Sequence, residues 1–144
     1  MQHVAIMKKS WGLTSKILSG EKTIESRWYK VKYKPWDVIK VSDTVYFKDT
    51  GEMIKTKAKV KKVIQFSDLT PPKVKEILNK YGKSDGIKTK EKKLYFKRFK
   101  NKQYCILIFL KNVKKVKPFH LNKTGFGTMS AWITAPAIPK VKKN

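Results

Sequence analysis

The sequence predicts an α+β domain built on a small, partly open β-barrel, with two or three helices packed at its ends. Segments with strand character are short and numerous, whereas only two or three segments have helical features. The two types do not alternate along the chain as they do in parallel α/β proteins. No internal repeat or linker interrupts the 144 residues, so we expect one domain, residues 1–134, and a basic, flexible tail, residues 135–144.

The N-terminal elements are predicted to be a buried strand and a short helix. Residues 3–7 form an apolar run with β-branched side chains, which is typical of a buried strand. Thr14 is a suitable N-cap and Gly20 a suitable C-terminal stop, so the helix between them has at most two turns. Three side chains are expected to face inward from this region: Leu13, Ile17 and Leu18.

Three strands are predicted next, over residues 23–28, 43–49 and 54–66. In residues 54–61 of the last of these, apolar or small residues alternate with lysines, so that four lysines share one face. That face is either a solvated surface that blocks pairing of an exposed strand or a track for phosphate groups. Its members are Lys55, Lys57, Lys59 and Lys61.

The clearest helix is predicted between Thr70, a suitable N-cap, and Gly82. It is expected to bury one apolar face, formed by Val74, Ile77, Leu78 and Tyr81. Residues 83–93 are polar and are predicted to form a mobile loop.

The remaining segments are predicted to close the barrel. Residues 94–101 form either a short helix or an irregular clasp. Residues 103–119 contain a buried strand, or two strands joined by a bend. Residues 125–133 add a glycine turn and a last short strand.

The formal net charge of +25 favours a polyanionic partner. Nucleic acid is the leading class, ahead of an anionic membrane surface and of acidic proteins. The 35 basic residues include 33 lysines and only two arginines, although arginine usually makes the bidentate contacts to phosphates and bases. The lysine excess is therefore compatible with compositional drift as well as with selection for binding.

Metal, disulfide and membrane chemistry have little support in the sequence. Cys105 is the only cysteine, which excludes an intrachain disulfide and favours a reducing cytoplasm. His3 and His120 lack the spacing of metal ligands, and no cofactor motif is present. The longest apolar run, residues 105–110, is too short to span a bilayer, and the N-terminus lacks the apolar stretch of a signal peptide.

The stretch SGEKTIESRW contains the most distinctive charge cluster. Glu25 and Arg27 are two positions apart on a predicted strand and therefore share a face. They form either a simple salt bridge or, together with Lys22, a polar pocket for a base, a phosphate or an amide. Lys22 and Glu25 are also a possible proton-transfer pair. Lysine acts as a base only where burial or a neighbouring cation, here Arg27, lowers its pKa.

The segment ILSGEKTIESR resembles the G-x-K-x-x-E-x-R signature of the ASCH domain, a member of the PUA-like superfamily. Its four fixed positions are occupied by Gly20, Lys22, Glu25 and Arg27. The order of predicted elements is similar over roughly residues 3–133. The resemblance implies a PUA-like β-barrel with a cleft between the barrel and the first helix. In that superfamily the cleft is associated with RNA binding and, in related branches, with a modified base.

The resemblance leaves a catalytic function open. One ASCH branch hydrolyses acetylated cytidine with the motif lysine and a threonine three residues later, but here Glu25 occupies the threonine position. Another ASCH type cuts RNA. The alternative function is therefore a metal-independent hydrolase acting on RNA or on a modified nucleoside, with Lys22 and Glu25 as catalytic residues.

The leading expectation is a monomeric, cytoplasmic RNA-binding protein. Trp11 and Trp28 flank the motif and are candidates to stack on a base, and Tyr29 lies in a basic, aromatic stretch. Arg27 is expected to contact the nucleotide in the cleft. The lysines at 55, 57, 59 and 61 are expected to follow the RNA backbone.

Overall fold

A computed structural model describes residues 1–127 and 129–141. Within them, six β-strands and three α-helices follow one another in this order: β1 (Gln2–Met7), α1 (Leu13–Ser19), β2 (Ile24–Tyr29), β3 (Thr44–Asp49), β4 (Ile54–Phe66), α2 (Pro71–Tyr81), α3 (Lys92–Phe99), β5 (Tyr104–Phe119) and β6 (Trp132–Ala135). Two short 3-10 turns, Lys9–Trp11 and Thr89–Glu91, precede α1 and α3.

The six strands form one mixed sheet in the order β2-β5-β4-β3-β1-β6. Strands β1 and β3 are parallel, whereas the other neighbouring pairs are antiparallel. The sheet curls into a half-barrel with the three helices packed against it. This architecture confirms the predicted α+β class and the partly open barrel.

The long antiparallel pair β4–β5 supplies much of the curvature. Its register shifts at three places, including the one between Val60 and Lys62, and such bulges bend and twist a strand pair. Asn112 adopts a positive φ of 53° within β5. Residues 104–119 nevertheless form a single strand, which selects the first of the two predicted alternatives.

Apolar side chains fill both sides of this sheet. The cluster inside the barrel includes Phe47, Ile108 and Trp132, all fully buried. On the other side, α2 and α3 cover a second cluster that includes Trp28 and Cys105. Burial raises the pKa of the Cys105 thiol well above its ordinary value, so this cysteine is a small apolar core residue.

Helix α1 differs from its prediction at one end. Its N-cap is Gly12, at a φ of 62°, and not Thr14. The Thr14 hydroxyl lies inside the helix and donates a 2.8 Å hydrogen bond to Asp49 Oδ1. Leu18 is 38% exposed, while Ile17 is fully buried, because a helix of two turns directs only a narrow face at the sheet. The predicted stop at Gly20 is confirmed.

The C-terminal residues up to position 141 lie against the barrel. Ile138 is buried, and its backbone N–H donates to Gln2 Oε1 over 2.8 Å. The Val141 N–H donates to the His120 carbonyl. Residues 142–144 of the predicted tail lie outside the described residues, and the flexibility of that tail stays a prediction. No helix in the described part of the chain is long and apolar enough to cross a membrane.

His3 is fully buried in β1, and both of its ring nitrogens are engaged. Nδ1 accepts from the Trp132 indole N–H at 3.2 Å and lies 2.9 Å from Thr134 Oγ1. Nε2 therefore carries the proton and donates to Asp43 Oδ2 over 2.8 Å. Burial lowers the pKa of His3 and outweighs the opposing effect of the Asp43 carboxylate. The folded protein thus favours the neutral ring.

We expect acid to destabilise the fold partly through His3. A base whose pKa is lowered on folding stabilises the fold fully above its ordinary value of 6.5, and that contribution is lost as the pH falls through the lowered pKa. Between about pH 7.5 and about pH 5, thermal melting should drop further for wild type than for His3→Gln, which keeps an N–H for Asp43 but does not titrate. Parallel losses in the two proteins would contradict this assignment.

Candidate functional site

A cavity of about 220 Å³ opens between β2, the end of β1 and helix α3. Apolar and aromatic side chains form most of its wall, including Leu13, Ile87 and Tyr95. Six of the residues selected from the sequence line it: Lys22, Glu25, Arg27, Trp11, Trp28 and Tyr29. The four lysines of β4 selected from the sequence do not, so the predicted site residues divide into a cavity group and a separate surface group.

The Lys22 side chain is 1% exposed and ends in a closed set of acceptors. Its ammonium donates to the Ile24 carbonyl at 2.7 Å, to the Asp85 carbonyl at 2.7 Å and to Asp85 Oδ1 at 2.5 Å. These three bonds use all the N–H groups of an ammonium. Glu25 Oε1 lies further away, 3.4 Å from Nζ. Lys22 therefore ties β2 to the segment that contains Asp85.

That segment lies in the predicted mobile loop, residues 83–93, which is a loop only as far as residue 88; its mobility stays a prediction. The Ser84 carbonyl accepts hydrogen bonds from the N–H groups of Thr23 and Ile24. Gly86 has a φ of 81°, and a Cβ there would lie 3.3 Å from carbons of Lys22. The chain therefore wraps closely over the buried lysine, and it becomes helical again at residue 89.

The carboxylates around Lys22 determine its protonation. Burial alone would lower the pKa of Lys22, but the charges of Asp85 and Glu25 together raise it. Burial also raises the pKa of the Asp85 carboxyl, against the opposing charge of Lys22. The lowered lysine pKa that proton abstraction requires is therefore absent, because Asp85 supplies the negative charge that the sequence did not reveal. The catalytic roles assigned to Lys22 and Glu25 stay predictions.

Glu25 and Arg27 form an ion pair in the cavity wall. Arg27 NH2 lies 3.2 Å from Glu25 Oε2, and their side chains are 14% and 4% exposed, respectively. The Arg27 guanidinium lies over the indole of Trp132, 5.1 Å from the ring centre. A longer contact of 3.4 Å joins Arg27 NH1 to the Ala131 carbonyl. The predicted salt bridge is therefore confirmed, and it forms part of a cavity wall, whereas the binding of a base, a phosphate or an amide there stays a prediction.

A hydrogen-bond chain links the aromatic wall to the buried acid. The Trp28 indole N–H donates to Ser26 Oγ at 3.0 Å, and Ser26 Oγ donates to Asp85 Oδ2. The Trp28 ring is stacked on Phe99, with ring centres 4.5 Å apart and planes 6° from parallel. One face of Trp28 is therefore already occupied by a protein ring.

The other two aromatic candidates, Trp11 and Tyr29, differ in how accessible their rings are. Trp11 is 37% exposed at the cavity mouth and meets Tyr95 edge to face, with ring centres 6.3 Å apart. Tyr29 lines the cavity, and its hydroxyl donates a 2.7 Å hydrogen bond to the Lys34 carbonyl. Trp11 is thus the ring with the most accessible surface among the three.

The lysines of β4 have the predicted orientation. Ile54, Thr56, Ala58 and Val60 are buried, whereas Lys55, Lys59 and Lys61 are exposed and Lys57 is half-buried. On the neighbouring strand β5, Lys114 faces Lys57 and Lys111 faces Lys59. Neither strand contains an acidic residue. We name the residues Lys55, Lys57, Lys59 and Lys61 the lysine stripe.

Sequence reasoning missed three residues around the cavity. Asp85 was assigned to a loop, although an acidic residue amid lysines was an available signal. Trp132 supports Arg27 from β6, more than a hundred positions away in the chain. Arg98, the second arginine, lies 4.7 Å from the Trp11 ring centre. In the described part of the chain, no group of three or more His, Cys, Asp or Glu residues is arranged to hold a metal ion.

Comparison with solved structures identifies proteins of the same fold. An ASCH protein from Zymomonas mobilis superposes with a TM-score of 0.63 at 16% identity, over 99% of this chain and 88% of that chain. A tyrosine-to-phenylalanine variant of the same protein gives the same score over 91% of its length. The N-terminal domain of McrB from Staphylothermus marinus gives 0.50 at 16% identity, over 83% of this chain and 76% of that one. Comparisons with protein-family models and with curated proteins gave no match.

Proposed function

Because the chain has the ASCH-domain fold, we propose that it binds single-stranded RNA, with one base in the cavity and the backbone along the lysine stripe. The observation that carries the proposal is the fixed pair of Glu25 and Arg27, 3.2 Å apart, in the wall of an aromatic-lined cavity. The fold alone does not determine the ligand. The proposal therefore rests on the chemistry of this site.

The cavity has the features that a base requires. A carboxylate accepts from the exocyclic amino group of a base, while a guanidinium donates to its carbonyl or ring nitrogen. Glu25 and Arg27 hold one acceptor and one donor side by side, and Lys22 and Trp132 keep them in place. Aromatic walls provide stacking surface for any base. The volume of about 220 Å³ lies below the range of pockets for drug-sized ligands, which suits a single small ring system.

The lysine stripe has the features of a phosphate track. Like charges directly opposite each other destabilise a strand pair, yet Lys57 faces Lys114 and Lys59 faces Lys111 with no acid in either strand. A polyanion bound along strands β4 and β5 reduces this repulsion and releases its own counterions. The net charge of +25 raises the rate of encounter with such a partner.

Hydrolysis of RNA or of acetylated cytidine stays the alternative. The raised pKa of Lys22 keeps its side chain an ammonium at neutral pH. All its donors point to protein oxygens. A reaction that begins with proton abstraction by this lysine is therefore disfavoured, and we place binding ahead of hydrolysis.

The test of the proposed function is Arg27→Lys, which keeps the charge but loses the two-pronged donor. Wild type should prefer one of four labelled RNA homopolymers in a fluorescence anisotropy titration. The variant should lose about tenfold of that preference, since one good bidentate contact contributes about 1–3 kcal/mol of discrimination. Its average affinity for the four polymers should change little, because the lysine stripe is intact.

The matched control is Lys75→Ala, which removes an exposed lysine of α2. It should keep the wild-type order of preference. If Arg27→Lys also keeps that order and its spread, the cavity does not read a base, and the proposed function is wrong in its central part.

A further inference from the structure

The two arginines of this lysine-rich chain share one kind of environment. Arg27 lies over the indole of Trp132 at 5.1 Å, and Arg98 lies over the indole of Trp11 at 4.7 Å. Both indoles belong to the region of the cavity, since Trp11 lines it and Trp132 supports Arg27. Elsewhere in the chain, positive charge is supplied by 33 lysines. The planar group that stacks on an aromatic ring and binds an anion with two parallel bonds occurs only at these two positions.

Arg98 lies in a second cluster of basic and aromatic side chains, at the mouth of the cavity. Arg98 projects from α3 and also lies 5.7 Å from the ring centre of Tyr95. Lys8 Nζ lies 5.2 Å from the centre of the same Trp11 ring and lines the cavity. Two cations are thus held beside one half-exposed indole at the entrance.

Arg98 differs from Arg27 in having no acidic side chain as a partner among the described residues. Arg27 is paired with Glu25, whereas among residues 1–127 and 129–141 no oxygen accepts a hydrogen bond from Arg98 and no acid pairs with it. Contact with the Trp11 ring restricts the position of the guanidinium, and because Arg98 is exposed its N–H groups stay available to a ligand. An exposed, oriented and unpaired guanidinium is suited to a phosphate, which it binds through two charge-assisted hydrogen bonds.

We propose that Arg98 and Lys8 form a phosphate site at the mouth of the cavity, which binds the phosphate attached to the nucleotide whose base occupies it. The proposal rests on the proposed function and narrows it. The ligand class is a phosphorylated nucleotide, free or within a strand, and not a free base or nucleoside. The same contacts would otherwise only pack the turn Lys9–Trp11 against α3, and this structural role is the competing outcome.

The experiment compares nucleosides with their 5′- and 3′-monophosphates by isothermal titration calorimetry. For the best-bound base, wild type should bind one monophosphate about tenfold or more tightly than the nucleoside. Arg98→Gln should reduce this ratio to near one without changing the affinity for the nucleoside. Arg98→Lys should give an intermediate ratio, and Lys93→Gln, an exposed position on the same helix, should leave it unchanged.

The outcomes separate this proposal from the function on which it rests. If nucleoside and monophosphates bind wild type equally, or if Arg98→Gln keeps the ratio, the phosphate site is overturned while base binding stands. If no nucleoside or monophosphate binds wild type, both fail. If Arg98→Gln weakens nucleoside and monophosphate alike and lowers the melting temperature, Arg98 is only a packing residue and the proposal is wrong.

Discussion

Replacing Lys22 with methionine should lower the free energy of unfolding by about 3–5 kcal/mol, the usual cost of breaking a buried ion pair. The substitution removes the ammonium from between two buried carboxylates, those of Asp85 and Glu25, whose side chains are 8% and 4% exposed. It also leaves the Ile24 and Asp85 carbonyls without their donor. Methionine has similar length and no charge, so the loss comes from unpaired polar groups and not from lost volume.

Urea denaturation followed by circular dichroism measures this loss. The double variant Lys22→Met with Asp85→Asn should recover part of the stability, because it removes one of the two uncompensated charges. Lys75→Met, at an exposed position, is the matched control and should stay close to wild type. A loss below about 1 kcal/mol for Lys22→Met would show that the ion pair is not a structural anchor.

The same ion pair should make the stability of the protein depend on pH in the alkaline range. The pKa of Lys22 is raised by folding, so its contribution is fully present below the ordinary value of 10.5 and is lost as the pH rises through the folded value. Above pH 10.5, wild type should therefore lose stability more steeply than Lys22→Met does.

Changing the lysine stripe to glutamine should weaken binding to single-stranded RNA about 100-fold at about 50 mM salt. The quadruple variant replaces Lys55, Lys57, Lys59 and Lys61. The slope of log affinity against log salt should become shallower by about 3, since each phosphate contact to a single strand contributes about 0.7. The loss of these charges should not lower the melting temperature, because two of the lysines face other lysines on β5 and repel them.

The control is a second quadruple variant with the same change in net charge. It replaces four exposed lysines outside strands β4 and β5, at positions 75, 83, 88 and 90. Filter binding over a salt series should show a much smaller change for this protein. Equal changes in both variants would mean that the RNA responds to total charge and that the lysine stripe is not a track.

Local patterns predicted the elements that bury one clear face. Helix α2 has its N-cap at Thr70, whose side chain accepts from the Lys73 N–H, and three residues of its predicted apolar face, Val74, Ile77 and Leu78, are buried, while Tyr81 is half-buried. Strand β4 has the same bounds in the structure as in the prediction, and its buried face is the one that the alternation over residues 54–61 predicts. Glu25 and Arg27 share one face of β2 for the same reason.

The wrong or missing predictions concern contacts between distant residues. Lys22 and Asp85 are 63 positions apart, and no local pattern contains that pairing. A polar composition predicted a loop at residues 83–93, but a buried lysine can hold such a segment in place through its own hydrogen bonds. The assignment of Arg27 as the neighbour that sets the Lys22 pKa failed for this reason.

The closure of Asp85 over Lys22 also constrains the order of events on the ribosome. Synthesis proceeds from the N-terminus, so Lys22 and Glu25 emerge while Asp85 is still untranslated. Strand β2 pairs with β5, which begins only at Tyr104. During that interval the apolar side chains of Ile24 and Trp28 have no partners and are exposed to chaperones or to other chains. The cavity is thus a late product of translation, and pauses in the codons before residue 104 would prolong the exposure of these apolar side chains.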